Sequence, residues 1–272
     1  MKMILAILAL LFGNSVYAQF VKQPEAPLWL GLTVCSTRFS NPFSIRVNPA
    51  SLAFIDNAVA GVCSEIKFLQ TDLEFFYASA AVPLQSGAIS VDIAFIGSEG
   101  FSQAKMGFFY AKKLSSRLSL GAAFNYHRLS AQGYGSRNAI TADLGCQLKA
   151  TEKLTVFFAA NNPVGGMPGK SSGEKLVSIY TAGIEQRISE KVLISGYAKK
   201  EEGSALDILF MANYLTGNKI ALFGGLSIAK SEGFFGSCIM FQNMEFRQAV
   251  GWKQGLGISP SLAVLFHKKK RD

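Results

Sequence analysis

The chain has 272 residues, of which 49% are hydrophobic, 12% aromatic and only 17% charged, and its formal net charge is +9. That composition excludes disordered, collagen-like and coiled-coil chains. Twenty-two Phe and 26 Gly beside two His point to strands with many turns, and away from metal or acid–base chemistry.

The chain opens with Met1-Lys2, an apolar run from Met3 to Phe12, and then Gly13-Asn14-Ser15-Val16-Tyr17-Ala18. This is the pattern of a secretory signal peptide over residues 1–18, with cleavage before Gln19. Residues 19–57 read as a separate segment. Pro24, Pro27, Pro42 and Pro49 interrupt any long strand, while Leu28, Trp29, Leu30, Leu32, Phe39 and Phe43 are too apolar for a disordered tail. The segment is expected to pack against or inside the domain that follows, as a partial plug. Beyond residue 20 there is no run of about 18 apolar residues, so membrane-spanning helices are excluded. The mean hydropathy is nevertheless +0.25. A closed β-barrel is the remaining way to span a bilayer.

From Ala58 onward the pattern has a period of two. Leu118, Leu120, Ala122, Phe124 and Tyr126 share one face, and Ser119, Gly121, Ala123, Asn125 and His127 share the other. Ile140, Ala142, Leu144, Cys146 and Leu148 alternate in the same way with Thr141, Asp143, Gly145, Gln147 and Lys149. A continuous apolar face opposite small and polar residues fits lipid outside and a polar lumen inside. Residues 58–272 therefore read as an antiparallel, all-β transmembrane barrel of about fourteen strands, roughly 15 residues each with its turn.

The expected strand centres are Val62, Phe76, Val91, Phe108, Ala123, Asp143, Phe157, Ile179, Ile194, Leu209, Phe223, Cys238, Val250 and Val264. Short connections (114–117, 150–153, 188–191, 215–218) alternate with longer or Gly-rich ones (97–101, 130–137, 162–174, 200–204). An even strand count puts both chain ends on the short-turn, periplasmic side. The turn sequence Lys113-Leu-Ser-Ser-Arg117 is echoed at Lys149–Lys153 and at Arg187–Lys191.

Little in the sequence suggests chemistry. His127 is expected beside Asn125 and near Asp143, but no nucleophile accompanies the pair, and no Gly-x-Ser-x-Gly occurs. Neither an enzyme nor a cofactor is expected. Cys35, Cys63, Cys146 and Cys238 lack the paired spacing of a metal site, and disulfides among them are not assignable. The expected inward charges carry both signs: Glu65, Lys67, Glu74, Asp92, Lys105, Asp143, Lys149, Glu185, Arg187, Asp207, Arg247 and Lys253. They suit a pairing network better than a selective ion ring. Phe109, Phe157, Phe223 and Phe235 are expected to face the lumen, where they either line a pocket for a hydrophobic molecule or pack on residues 19–57. Scattered basic residues and an exported chain speak against nucleic acid as a partner. The terminal run Lys268-Lys269-Lys270-Arg271 reads as a solvated tail.

Asn48-Pro49-Ala50, placed just before the first strand, resembles the Asn-Pro-Ala segment of FadL-superfamily barrels. Phe158-Ala-Ala-Asn-Asn162-Pro163-Val-Gly-Gly166 and Leu118–Tyr126 resemble the PorV/PorQ-type branch found in Bacteroidetes. The resemblance implies an outer-membrane barrel with an N-terminal segment near the lumen, and one of two roles. The first is an accessory or docking component of type IX protein secretion or a related envelope assembly, binding envelope proteins through outer loops 130–137 and 162–174. The alternative is a passive FadL-like conduit for small hydrophobic compounds.

Overall fold

The computed structural model describes residues 41–98, 100–165, 176–217 and 219–268. The expected signal peptide, residues 19–40 with Cys35, most of the 162–174 loop and the end of the basic tail lie outside the described residues. Fourteen strands follow one another: β1 Val59–Ile66, β2 Glu74–Leu84, β3 Gly87–Gly97, β4 Phe101–Lys113, β5 Leu118–Ala131, β6 Gly135–Lys149 and β7 Leu154–Asn161. The second half comprises β8 Ile179–Arg187, β9 Val192–Glu201, β10 Leu206–Thr216, β11 Ile220–Ser227, β12 Glu232–Phe241, β13 Met244–Lys253 and β14 Gly257–His267. Each expected strand centre falls in a different strand.

Every strand pairs antiparallel with its neighbours in sequence, and β14 returns to β1, from Val59↔His267 to Glu65↔Ser261. Closure leaves no sheet edge, so every strand can pair its backbone groups inside a bilayer where water cannot. Side chains confirm which face meets lipid. On β5, Phe124 is 66% exposed while its neighbour Asn125 is 2% exposed. The same inversion, with aliphatic and aromatic residues outside and Ser, Thr, Asn, Gly and charged residues inside, runs round the whole sheet. It would be unfavourable in water and is what a hydrocarbon environment selects. The protein is an outer-membrane β-barrel.

Both chain ends of the barrel lie at one rim, whose turns are residues 85–86, 114–117, 150–153, 188–191, 217–219 and 242–243. The two longest connections, residues 67–73 and 162–178, lie at the other rim. The short-turn rim is therefore periplasmic. One expected outer loop is not a loop: β5 and β6 pair as far as Ala131↔Gly135, leaving a turn of residues 132–134 within the expected 130–137. Its Gly133 and Gly135 adopt φ of +80° and +82°, which lets so long a hairpin close tightly.

Two inward assignments also change. Phe235 is 59% exposed on the lipid face, and Phe234 takes the lumen position. Glu74 is exposed outside and accepts a hydrogen bond from Ser64 Oγ at 3.0 Å.

Candidate functional site: the plug and the lumen

Two short 3-10 helices, Pro42–Arg46 and Pro49–Phe54, precede β1 and lie inside the barrel against β1–β6. Both begin in the same way. Asn41 Oδ1 accepts from Phe43 N at 2.9 Å, and Asn48 Oδ1 accepts from Ala50 N at 3.0 Å. A proline at the first helical position follows each cap, where its missing N–H costs nothing and its φ is preset. The third residues after the caps, Ser44 and Ser51, share a hydroxyl–hydroxyl bond of 2.8 Å that ties the turns together. Asn41-Pro42-Phe43-Ser44 and Asn48-Pro49-Ala50-Ser51 are thus a tandem repeat seven residues apart. Only the second copy carries the Asn-Pro-Ala signature; the seven-residue repeat is the sequence signal for the first.

The wall is shaped to receive these turns. Asn48 also donates from Nδ2 to the Cys146 carbonyl at 3.3 Å, and the Ser119 hydroxyl reaches the Ala50 carbonyl at 3.4 Å. Gly121 and Gly145 face each other across β5 and β6. A methyl group on Gly121 would overlap the Pro49–Ala50 backbone, and one on Gly145 would overlap Asn48 Oδ1. The three residues of the Asn-Pro-Ala segment therefore cap the turn, set its φ and fit under two glycines. On the neighbouring arc, Gly61 makes room for the Phe43 ring, which meets Tyr77 edge-on at 5.3 Å.

Arg46 ends the first turn and fastens it. Its Nε lies 2.6 Å from Asp92 Oδ2, with both side chains buried, and its guanidinium sits 5.0 Å from the centroid of the Tyr77 ring. The Tyr77 hydroxyl donates to the same carboxylate at 2.9 Å. Burial alone would lower the Arg46 pKa, but Asp92 and Tyr77 outweigh it and the net shift is upward. The guanidinium therefore stays charged at every physiological pH.

Beyond this pair, Asp143 organises a second buried group. Asn125 Nδ2 donates to it at 2.8 Å, the Asn162 backbone N at 3.0 Å, and Lys105 Nζ lies 3.7 Å away. His127 is buried and turns to Thr141 Oγ1 at 2.9 Å rather than to Asp143. The expected histidine–aspartate proximity thus resolves into two separate polar contacts. Asn162, with φ of +51°, also holds the returning chain through the Leu176 carbonyl and the Ser178 hydroxyl, each at 2.8 Å. It pins both stems of the long outer connection. Arg247 pairs with Glu245, which also accepts from Cys238 Sγ at 3.2 Å and meets His267 Nε2 at 3.4 Å. Glu185 is buried, and Arg187 is half-buried at the periplasmic rim. Cys63, Cys146 and Cys238 are free thiols.

The remaining side of the lumen carries an apolar cluster among polar inward residues such as Thr181, Glu185, Ser195 and Asn213. Phe157, Tyr197, Leu209, Met211, Leu215, Phe223 and Phe234 form one buried cluster that extends to Phe43 and Tyr77. Phe109 belongs instead to the plug seat, with Leu52, Phe54 and Ile55. Above the cluster, at the outer rim, opens a vestibule of about 800 Å³. Its floor includes Ile179, Leu209 and Phe234, and its rim carries charges. Several of those charges are paired: Glu201 lies 3.3 Å from Lys199 and 3.4 Å from Lys230, and Glu232 lies 2.8 Å from Lys253. Asp207 accepts from Ser227 Oγ at 2.8 Å and from Ala229 N at 3.0 Å. No single sign dominates, so the mouth has no ring of the kind that selects ions.

The geometry defines a plugged transmembrane barrel with an apolar cluster in its lumen beneath a mouth of mixed charges. No family model matches the chain, and no curated protein sequence matches it. Solved structures do. The chain is similar to the Pseudomonas putida toluene transporter TodX, with a TM-score of 0.65 and 11% identity over 83% of this chain and 93% of that one. It is similar to the CymD monoaromatic hydrocarbon channel, with a TM-score of 0.63 and 12% identity over 85% and 94% of the two chains. A Pseudomonas aeruginosa FadL homologue gives a TM-score of 0.63 and 10% identity over 92% and 98%. The chain has the fold of these FadL-type barrels. None of these three likenesses points to the PorV/PorQ branch.

Proposed function

We propose that the barrel is a passive, non-enzymatic conduit for small hydrophobic compounds. The observation that carries this reading is that Leu209 and Phe234 belong at once to the vestibule floor and to the buried apolar cluster. A molecule caught at the outer mouth therefore meets Leu209 and Phe234, behind which Met211, Phe157 and Phe223 lie buried in the same cluster, with the polar Ser195 and Asn213 on the neighbouring inward positions. The paired rim charges suit an uncharged guest, since an apolar molecule displaces no ion pair on entry. The named neighbours, a hydrocarbon channel and a toluene transporter, support the same reading by fold. The docking role in type IX secretion has less behind it. One of its two expected contact loops is a turn of residues 132–134, and the other lies mostly outside the described residues.

Binding of an environment-sensitive naphthalene dye to the detergent-solubilised full chain tests the proposal. Leu209→Glu and Phe234→Glu each place a charge in the apolar path, and each is expected to weaken binding at least about tenfold, the effect of about 1.4 kcal/mol. Phe235→Glu, on the lipid face, is the matched control in detergent and should leave affinity unchanged. Equal binding by all four proteins would place the dye outside the lumen.

A further inference from the structure

At the outer mouth Lys199, Lys230 and Lys253 each lie beside a carboxylate, and Lys67 lies 5.9 Å from the centroid of the Phe75 ring. At the periplasmic mouth Lys113 Nζ and Lys149 Nζ converge on one aromatic ring, 5.1 Å and 5.0 Å from the centroid of Phe54. Neither ammonium has a carboxylate oxygen within 4.0 Å among the described residues. Asp56 is exposed two residues beyond Phe54 and makes no ion pair with either. Both lysines continue the inward rows of their strands, after Ala111 and Gln147. The turns beside them add Arg117 and Lys153, both exposed, against the single acid Glu152. Arg117 is held close, because its carbonyl accepts from Lys149 N at 2.8 Å.

One aromatic ring offsets two ammoniums only in part, and both lie about 5 Å from the same centroid. Their summed positive charge favours an anion at this mouth. It lies at the periplasmic rim and offers two point-charge donors, with the exposed Arg117 on the adjoining turn. Together these donors can bond more oxygens than a carboxylate presents.

We infer that Lys113, Lys149 and Arg117 form a phosphate-binding site at the periplasmic mouth. It takes the phosphate group of an anionic phospholipid from the periplasmic leaflet, or phosphate free in the periplasm. A phosphate bound there joins β4 and β6 to the Phe54 end of the plug and so locks the plug in its seat. The inference stands independently of what the lumen carries.

The test uses the full chain in a non-ionic detergent, with native mass spectrometry and thermal unfolding as readouts. The probes are phosphatidylglycerol, phosphatidylcholine (whose choline cation opposes binding), inorganic phosphate, and sodium chloride at matched ionic strength. Phosphatidylglycerol is expected to remain bound one to one and to raise the unfolding temperature by about 4 °C or more. If inorganic phosphate reproduces that rise, the source is free phosphate; if only the phospholipid does, the source is the leaflet. K113Q/K149Q should lose at least tenfold in affinity, and K113R/K149R should retain binding, which separates loss of charge from misfolding. No rise with either phosphate source, or equal binding by wild type and K113Q/K149Q, would overturn the inference.

Discussion

Replacing Gly121 by alanine is expected to unseat the second turn of the plug, although it adds one methyl group. The new carbon would overlap the Pro49–Ala50 backbone rather than the tip of a side chain, so no rotamer change relieves it. Gly145, across the hairpin, already leaves no room in the other direction, because Asn48 Oδ1 occupies the space over it. The turn must move away from β5 and β6, breaking the Asn48 bond to the wall and loosening the contact between Phe54 and Phe109. In planar bilayers the ion conductance of Gly121→Ala should exceed that of wild type several-fold. Gly100→Ala is the control, since a methyl group there meets no atom within 4 Å. Wild-type conductance in Gly121→Ala would mean that the two glycines do not hold the turn.

The second large effect is expected at Arg46. Removing one partner of a buried ion pair leaves the other charged and unsolvated, at a cost of about 3–5 kcal/mol. Asp92 is fully enclosed, and without Arg46 only the Tyr77 hydroxyl, among the described residues, remains on it at hydrogen-bonding distance. Arg46→Ala should therefore speed amide exchange of residues 42–55 by about a hundredfold or more while leaving the β7–β14 strands protected. The double variant R46A/D92A removes the stranded charge as well, so its exchange should lie closer to wild type than that of Arg46→Ala. The pH dependence follows from the sign of the shift. A raised arginine pKa gives stability that is present below the ordinary arginine value and lost only far above physiological pH. On the arginine side the fastening is therefore constant from pH 5 to pH 9 in exchange experiments. Loosening on raising pH across that window would show that another group controls the plug.

The barrel was legible because its signal is periodic. Alternation over β5 and β6 puts Phe124 outside and Asn125 inside from sequence alone, and closure follows from the need to pair every backbone group. The register failed where the period is silent. Phe234-Phe235 sits between Gly233 and Gly236, so neither flank says which ring faces lipid; pairing with β11 and β13 decides it. Turn length was also hidden at residues 130–137, where a polar, Gly-rich stretch reads as a loop although β5 and β6 stay paired to Ala131↔Gly135. Of the candidate site, the charge balance of the lumen was readable, and so was the Asn-Pro-Ala segment. Its physical role was not, because Gly121 and Gly145 lie far along the chain from Asn48 and meet it only in the closed barrel. Arg46 was missed for the same reason: nothing local marks Asp92 as its partner.

Transfer of a hydrophobic solute through the barrel is the property that defines a conduit. The most direct measurement is the initial rate of radiolabelled toluene uptake into proteoliposomes holding only this protein, compared with empty liposomes and with liposomes holding Leu209→Glu. Toluene crosses lipid by itself, so the comparison is made with an outer leaflet rich in lipopolysaccharide, which slows that background. A saturable rate above background that Leu209→Glu abolishes is the predicted result. A rate equal to that of empty liposomes, from a barrel shown to be folded, would contradict the conduit reading.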